Sequence, residues 1–252
     1  MSVETAEARP LGRFSAWKRE SRATIGIAWP LSLAYLGQMA ISTTDVIMIG
    51  RLGKEELAAA AVATTVFLSI FMLSIGVIRT VTPLASQYLG ARKPRMVRRV
   101  VRQGLWACVA LSIPSLVLLW FIEPILSLLN QQQELIAPAG EYTRAFMWSF
   151  LPATCFIALR SFMTALERPK PAMLVMGFCV LANAVLNYAL IYGNFGLPRL
   201  ELVGAGIAST LTNSLMFAGV ALVTIFMRPY RRYNVFGRIW RPDWQLFRKL
   251  FR

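Results

Sequence analysis

One carboxylate lies deep inside an apolar stretch of this sequence: Asp45, in the run from Ile25 to Gly50. Glu123, Glu141, Glu167 and Glu201 all fall at or beyond the ends of apolar runs. A charge at the centre of a bilayer costs about 2.5–3.5 kcal/mol on insertion scales, so Asp45 requires a partner or a function. Gln38 and Ser42 precede it at helical spacing, which places Gln38, Ser42 and Asp45 on one face. An ionisable carboxyl with polar neighbours suits a proton or cation site. The plainer alternative is a structural Asp hydrogen-bonded to a neighbouring helix.

Asn183 and Asn187 stand one turn apart on another apolar run. Such amides either glue helices together or coordinate a cation or a substrate. Ser209, Thr210, Thr212, Asn213 and Ser214 follow the small residues Gly204-Ala205-Gly206, a composition that favours close helix packing. Thr210 joins Gln38 and Ser42 as a candidate for lining a cavity. Pro30, near the start of its run, either bends the helix or sits inertly in a first turn. Arg79 is expected to snorkel to the interface, and Arg160 either snorkels or faces a water-filled cavity.

The chain has no histidine, which excludes Ser-His and Cys-His catalysis and His-ligated metals. Cys108, Cys155 and Cys179 are isolated in apolar runs and read as small core residues. An intramembrane hydrolase would need a second acid at depth or a buried lysine, and the lysines lie outside the runs. No enzymatic activity, metal or cofactor is therefore expected.

The elements that must position these residues follow from the hydropathy. Of 252 residues, 56% are hydrophobic and only 15% charged, yet the net charge is +15. Six apolar runs stand out: Ile25–Gly50, Leu57–Ile78, Gly104–Ile122, Ala145–Leu166, Met173–Tyr192 and Val203–Met227. Each is near or above the ~20 residues a helix needs to cross a bilayer. None alternates as a barrel strand would. The expected fold is an all-α membrane protein of six transmembrane helices.

Twenty-one basic residues lie in the N-terminal segment, the second and fourth connections and the C-terminal tail. Only Arg51, Lys54, Arg144 and Arg199 mark the opposite side. The positive-inside rule makes the rich side, with both termini, cytoplasmic. Because these cations sit at helix ends, anionic headgroups of the bilayer are their expected partners, and nucleic acid is not. Residues 1–23 read as a cytoplasmic segment without a secretory signal, 24–227 as the six-helix lobe and 228–252 as a basic cytoplasmic tail. Ile125, Leu126, Leu128 and Leu129 suit a short interfacial turn within the connection Glu123–Tyr142. Trp240, Trp244, Phe247 and Phe251 suit an amphipathic surface helix opening at Pro242-Asp243.

The ordered motifs resemble the multidrug and toxic compound extrusion (MATE) transporters, NorM-like branch. Ala28-Trp29-Pro30 leading to Thr44-Asp45-Val46-Ile47-Met48-Ile49-Gly50 is similar to the family's first helix. Thr82-Pro83-Leu84-Ala85-Ser86-Gln87 and Leu89-Gly90-Ala91-Arg92 follow its second. Leu159-Arg160-Ser161-Phe162, Lys170-Pro171-Ala172-Met173, Asn183 to Asn187, Tyr192-Gly193 and Gly204 to Thr210 continue the match in order.

The resemblance implies an antiporter of the bacterial inner membrane that exports cationic, amphipathic compounds against a proton or sodium gradient. It assigns coupling to Asp45 with Asn183 and Asn187, and bending to Pro30. DinF-like relatives carry a second carboxylate where Asn187 stands. The family has twelve helices in two lobes, so this chain resembles the N-terminal lobe alone. Residues 243–252 resemble the lead-in to a second lobe. The expectation is a half-transporter that pairs as a homodimer or with a separately encoded C-terminal lobe. The alternatives are a truncated or split-gene product inactive alone, and a lipid-linked oligosaccharide flippase of related fold.

Overall fold

A computed structural model describes residues 13–237 and residue 246. The proposed surface helix around Trp240, Trp244, Phe247 and Phe251 lies outside the described residues. In chain order the helices are α1 (Arg13–Gly50), α2 (Lys54–Arg79), α3 (Val81–Gly90), α4 (Pro94–Trp120), α5 (Ile122–Leu128), α6 (Gln133–Phe146), α7 (Phe150–Ala165), α8 (Lys170–Tyr192), α9 (Glu201–Phe226) and α10 (Arg228–Arg231). A 3-10 turn, Met147–Ser149, joins α6 to α7.

Six spans are long and apolar enough to cross a membrane, in the expected order. Their surfaces fit lipid rather than water: Leu73 is 78% exposed and Leu181 70%. The first span is Thr24–Gly50, within a helix that already begins at Arg13. Pro30 lies inside that helix, where it leaves the Gly26 carbonyl without its usual donor. The third span starts at Pro94 rather than Gly104, so Arg95, Arg98, Arg99 and Arg102 ride on the first turns of α4.

The fourth span departs most from the sequence reading. It starts at Gln133 and is built from α6, the 3-10 turn and α7, so much of the expected connection is helix. Glu134, Glu141 and Arg144 point outward on α6, while Ala139, Gly140, Tyr142 and Thr143 are buried. A one-sided polar face lowers the summed hydropathy without removing the buried stripe. The expected short turn is α5, whose Ile122 and Leu126 are buried beside α6.

The helices α8 and α9 pack together, with α1 on α8 and both α6 and α7 on α9. Further contacts join α2 to α6, and α4 to α3 and α7. Close approach depends on two glycines of α9. A Cβ on Gly204 would strike the Leu190 carbonyl oxygen of α8. A Cβ on Gly206 would stand 2.8 Å from the Ala145 Cβ and 3.0 Å from the Tyr142 carbonyl oxygen of α6.

Two apolar clusters divide the bundle along its length. One gathers Ile41, Val81, Val97, Phe162, Met176, Cys179 and Met216 toward the base-rich end. The other gathers Ile49, Ala59, Leu126, Tyr142, Ile191 and Ala205 toward the base-poor end. Four helices, α1, α2, α8 and α9, carry residues of both clusters, and α1, α8 and α9 bring polar side chains together at the crossing.

Candidate functional site

The crossing is regular on α1, α8 and α9. On α1, Asp45 lies between Ile41 and Ile49. On α8, Asn183 and Asn187 lie between Cys179 and Ile191. On α9, Ser209 and Thr212 lie between Ala205 and Met216. Steps of three and four residues keep each set on one face, so the three helices bring a single polar layer together between apolar ones.

Within this layer Asp45 is held by donors from two other helices. Asn187 donates from Nδ2 to Asp45 Oδ1 at 2.5 Å, and Asn183 donates to the same oxygen at 3.2 Å. The Ser209 hydroxyl donates to Asp45 Oδ2 at 3.1 Å. Asn183 Nδ2 also faces Thr212 Oγ1 at 3.4 Å, and Asn187 Nδ2 faces Asn183 Oδ1 at 3.3 Å. Both asparagines are fully buried. A carboxylate is an acceptor only, so three donors match its ionised form. Asn187 Oδ1 is buried without a partner among the described residues and adds an acceptor beside the carboxylate. A proton on Asp45 or a small cation beside it would find oxygen partners there.

Asp45 is half-buried because its other side borders a cavity of about 460 Å³. The cavity runs along α1 from Tyr35 to Ile49 and along α2 from Leu57 to Arg79. Tyr142, Phe146, Ser149, Phe156 and Arg160 close it from the fourth span, and Ser209 and Asn213 from α9. Phe67, Phe71 and Phe146 line its wall and connect with the buried Phe150 behind it, with Phe67 and Phe146 centroids 4.2 Å apart. The volume falls within the usual range for small-molecule sites, and an apolar wall with few polar groups is their usual chemistry.

The sequence candidates divide accordingly. Gln38 and Ser42 line the cavity beside Asp45, and Asn183 and Asn187 back it from behind. Thr210 does not reach the cavity. Its hydroxyl donates to the Ala145 carbonyl at 2.8 Å, and it borders a shallow groove with Glu141 and Trp148. Ser209 occupies the position expected of Thr210, because one residue along a helix turns the side chain by about 100°. Arg79, expected to snorkel, lines the cavity together with Arg160. The signal for Arg160 is its place inside the run Ala145–Leu166, whereas Arg79 falls just past the run Leu57–Ile78.

The MatE family matches residues 30–189, which include all of α2 to α7 and most of α8. A protein of Mesorhizobium japonicum, "Probable multidrug resistance protein NorM", is 41% identical over 238 residues, covering 94% of this chain and 51% of the relative. A protein of the same description from Rhodopseudomonas palustris is 44% identical over 236 residues, covering 94% and 50%. The chain spans about half the length of these relatives. In structure it is similar to the eukaryotic MATE transporter AtDTX14, with a TM-score of 0.81, 21% identity, and coverage of 92% of this chain and 52% of that one. The chain belongs to the MatE family. It is a multi-pass membrane protein with the six-helix fold of one half of a MATE transporter.

Proposed function

We propose that this chain is the N-terminal lobe of an exporter of cationic, amphipathic compounds in the bacterial inner membrane, coupled to entry of protons or sodium ions at Asp45. The observation that carries the reading is the placement of Asp45. It joins a buried amide layer on one side to an aromatic-lined cavity on the other. The NorM descriptions of the relatives support drug export as the direction of work.

The layer links ion and ligand through competition for one carboxylate. With Asp45 ionised, a cationic ligand in the cavity gains a desolvated counter-charge. With Asp45 protonated or holding sodium, that attraction is lost and the donors from α8 and α9 must rearrange. The affected contact is the α1–α8 interface, and Pro30 marks where α1 can bend. A second six-helix half would complete the cavity on its open side.

The test is binding of tetraphenylphosphonium to the purified chain in lipid nanodiscs. Raising sodium or lowering pH should displace it from the wild type, and Asp45→Asn should abolish that dependence. Ion-independent binding by the wild type would overturn the coupling role. Light scattering of the detergent-solubilised chain, alone and with a candidate second half, tests the pairing.

A further inference from the structure

The outer face of the fourth span carries charge where a surface against lipid is ordinarily apolar. Glu141, Arg144 and Trp148 are exposed there at steps of three and four, so they form one stripe. Opposite them, α9 presents Val203, Ile207 and Leu211 at steps of four. The two stripes border a groove of about 540 Å³. The close approach of α9 to α6 at Gly206 places the small Ala145 in its lining. This groove and the cavity beside Asp45 lie on opposite faces of α9. Ser209 and Asn213 line the cavity, and a step of two residues to Ile207 and Leu211 turns the side chain by about 200°.

The groove is charged at one end and apolar along its length. Gly206 stands five residues from Glu201, the first residue of α9, and packs at the level of Tyr142 and Ala145. Glu141 and Arg144 therefore lie within about two turns of the base-poor end of the span, near headgroup depth. From Val203 to Leu211 the groove descends eight residues, about 12 Å, toward the hydrocarbon.

Glu141 forms no ion pair among the described residues. Arg144 is held by Glu123 of α5, whose Oε1 accepts from Nη2 at 2.8 Å. That bond uses one of five N–H donors, and the Arg144 side chain remains 49% exposed. A carboxylate at the edge of a bilayer is costly without a counter-charge. The free donors of a guanidinium suit a phosphate oxygen. Glu141 and Arg144 thus offer an acceptor for a cation and donors for an oxyanion, one helical turn apart, above a trough for an apolar chain.

We propose that this groove is a binding site for a phospholipid with a primary-ammonium headgroup, of the phosphatidylethanolamine kind. Its phosphate accepts from Arg144, its ammonium donates to Glu141, and one acyl chain lies between Trp148 and Leu211. A trimethylammonium group has no N–H to donate, so Glu141 discriminates between headgroups. The bound lipid bridges the fourth span and α9 from outside, where Thr210 joins them from within. It is a fixed part of the wall, separate from any ligand of the cavity.

The test is native mass spectrometry of the full chain released from detergent, titrated with phosphatidylethanolamine, phosphatidylcholine or phosphatidylglycerol of the same acyl chains. The wild type should retain one phosphatidylethanolamine about tenfold more tightly than either other lipid. Glu141→Gln should remove the preference over phosphatidylcholine. Arg144→Gln should weaken both of these lipids about tenfold, the loss of one charge-assisted contact, and keep the preference. Leu211→Trp, at an exposed position, fills the groove and should weaken all three lipids. Glu141 is exposed as well, so its variant tests the headgroup contact without disturbing buried packing.

A wild type that holds phosphatidylcholine as tightly as phosphatidylethanolamine would overturn the site. So would a preference that survives Glu141→Gln, or tighter binding of phosphatidylglycerol, which would reduce the groove to a simple anion contact. A lipid-free dimer that Leu211→Trp dissociates would assign the groove to a second copy instead.

Discussion

Asn187 reaches across the α1–α8 interface to donate to Asp45 Oδ1, the shortest contact in the polar layer. The bond joins the charged group of the cavity wall to a fully buried amide. A hydrogen bond to a charged group contributes roughly 1.5–3 kcal/mol. Asn187→Ala should therefore weaken the ionised state of Asp45 relative to its neutral or cation-bound state. The expected outcome is a shift of at least about tenfold in the sodium or proton concentration that displaces tetraphenylphosphonium. An unchanged displacement curve would assign Asn187 to packing alone.

Ser209 and Thr210 separate the site from its scaffold. Ser209→Ala removes the only side-chain donor seen on Asp45 Oδ2 among the described residues. It should weaken ion-linked displacement severalfold with little loss of folded protein. Thr210→Ala removes the hydroxyl bond to the Ala145 carbonyl at the α6–α9 contact. It should lower stability by about 0.5–1.5 kcal/mol and leave ion linkage in place. Thermal unfolding and ligand displacement measured on both variants distinguish the two roles. The reverse pattern would place the site on the Thr210 face.

That pair also shows how far the sequence can be read. Asp45, Asn183 and Asn187 are legible because a polar residue in an apolar run is conspicuous. Their neighbours Gln38 and Ser42 follow from helical spacing. Ser209 and Thr210 cannot be told apart, since both are small, polar and adjacent, and the rotation of α9 is set by where Gly204 and Gly206 let α8 and α6 approach. The six spans are legible by length. The start of the fourth is not, because Glu134, Glu141 and Arg144 lie on the outer face of α6 and mask its buried stripe. Arg79 escapes the sequence for a related reason. A cation at the end of a span reads the same whether it faces lipid or a cavity, and only the packing of α2 against α6 and α7 decides.

The glycines of α9 give a packing prediction. The Cβ of Gly204→Ala would meet the backbone of Leu190, which cannot swing aside as a side chain would. Overpacking of this kind costs typically about 1–3 kcal/mol. It should also push α8 away and lengthen the Asn187 contact with Asp45. Gly177→Ala on α8 is the control, since a Cβ there would meet nothing within 4 Å and an alanine favours the helix by roughly 0.5–1 kcal/mol. Detergent thermal stability should fall for the first and hold or rise for the second. A neutral Gly204→Ala would mean that α8 and α9 are not held at this distance in the membrane.

The base-rich end of the bundle carries one further contact. Tyr230, on α10 just after the final span, is 1% exposed and donates its hydroxyl to the Arg168 carbonyl at 2.6 Å. Its ring also meets Phe162, with centroids 6.1 Å apart, so α10 is pinned against the connection between α7 and α8. Burial raises the phenol above its ordinary range, and the nearby Arg168 charge only partly offsets this. The unfolded phenol ionises near about 10, so stability from the buried neutral form is fully present below that pH. Above it the unfolded chain loses the proton first, and stability falls as pH rises toward the folded value. Tyr230→Phe removes the hydrogen bond, at a cost of about 0.5–1.5 kcal/mol near neutral pH, and removes this titration. Unfolding temperatures measured from pH 7 to 11 should therefore converge at the alkaline end, the wild type losing stability that the variant keeps. Parallel curves over the whole range would show that Tyr230 is not held neutral by the fold, and that the ring alone anchors α10.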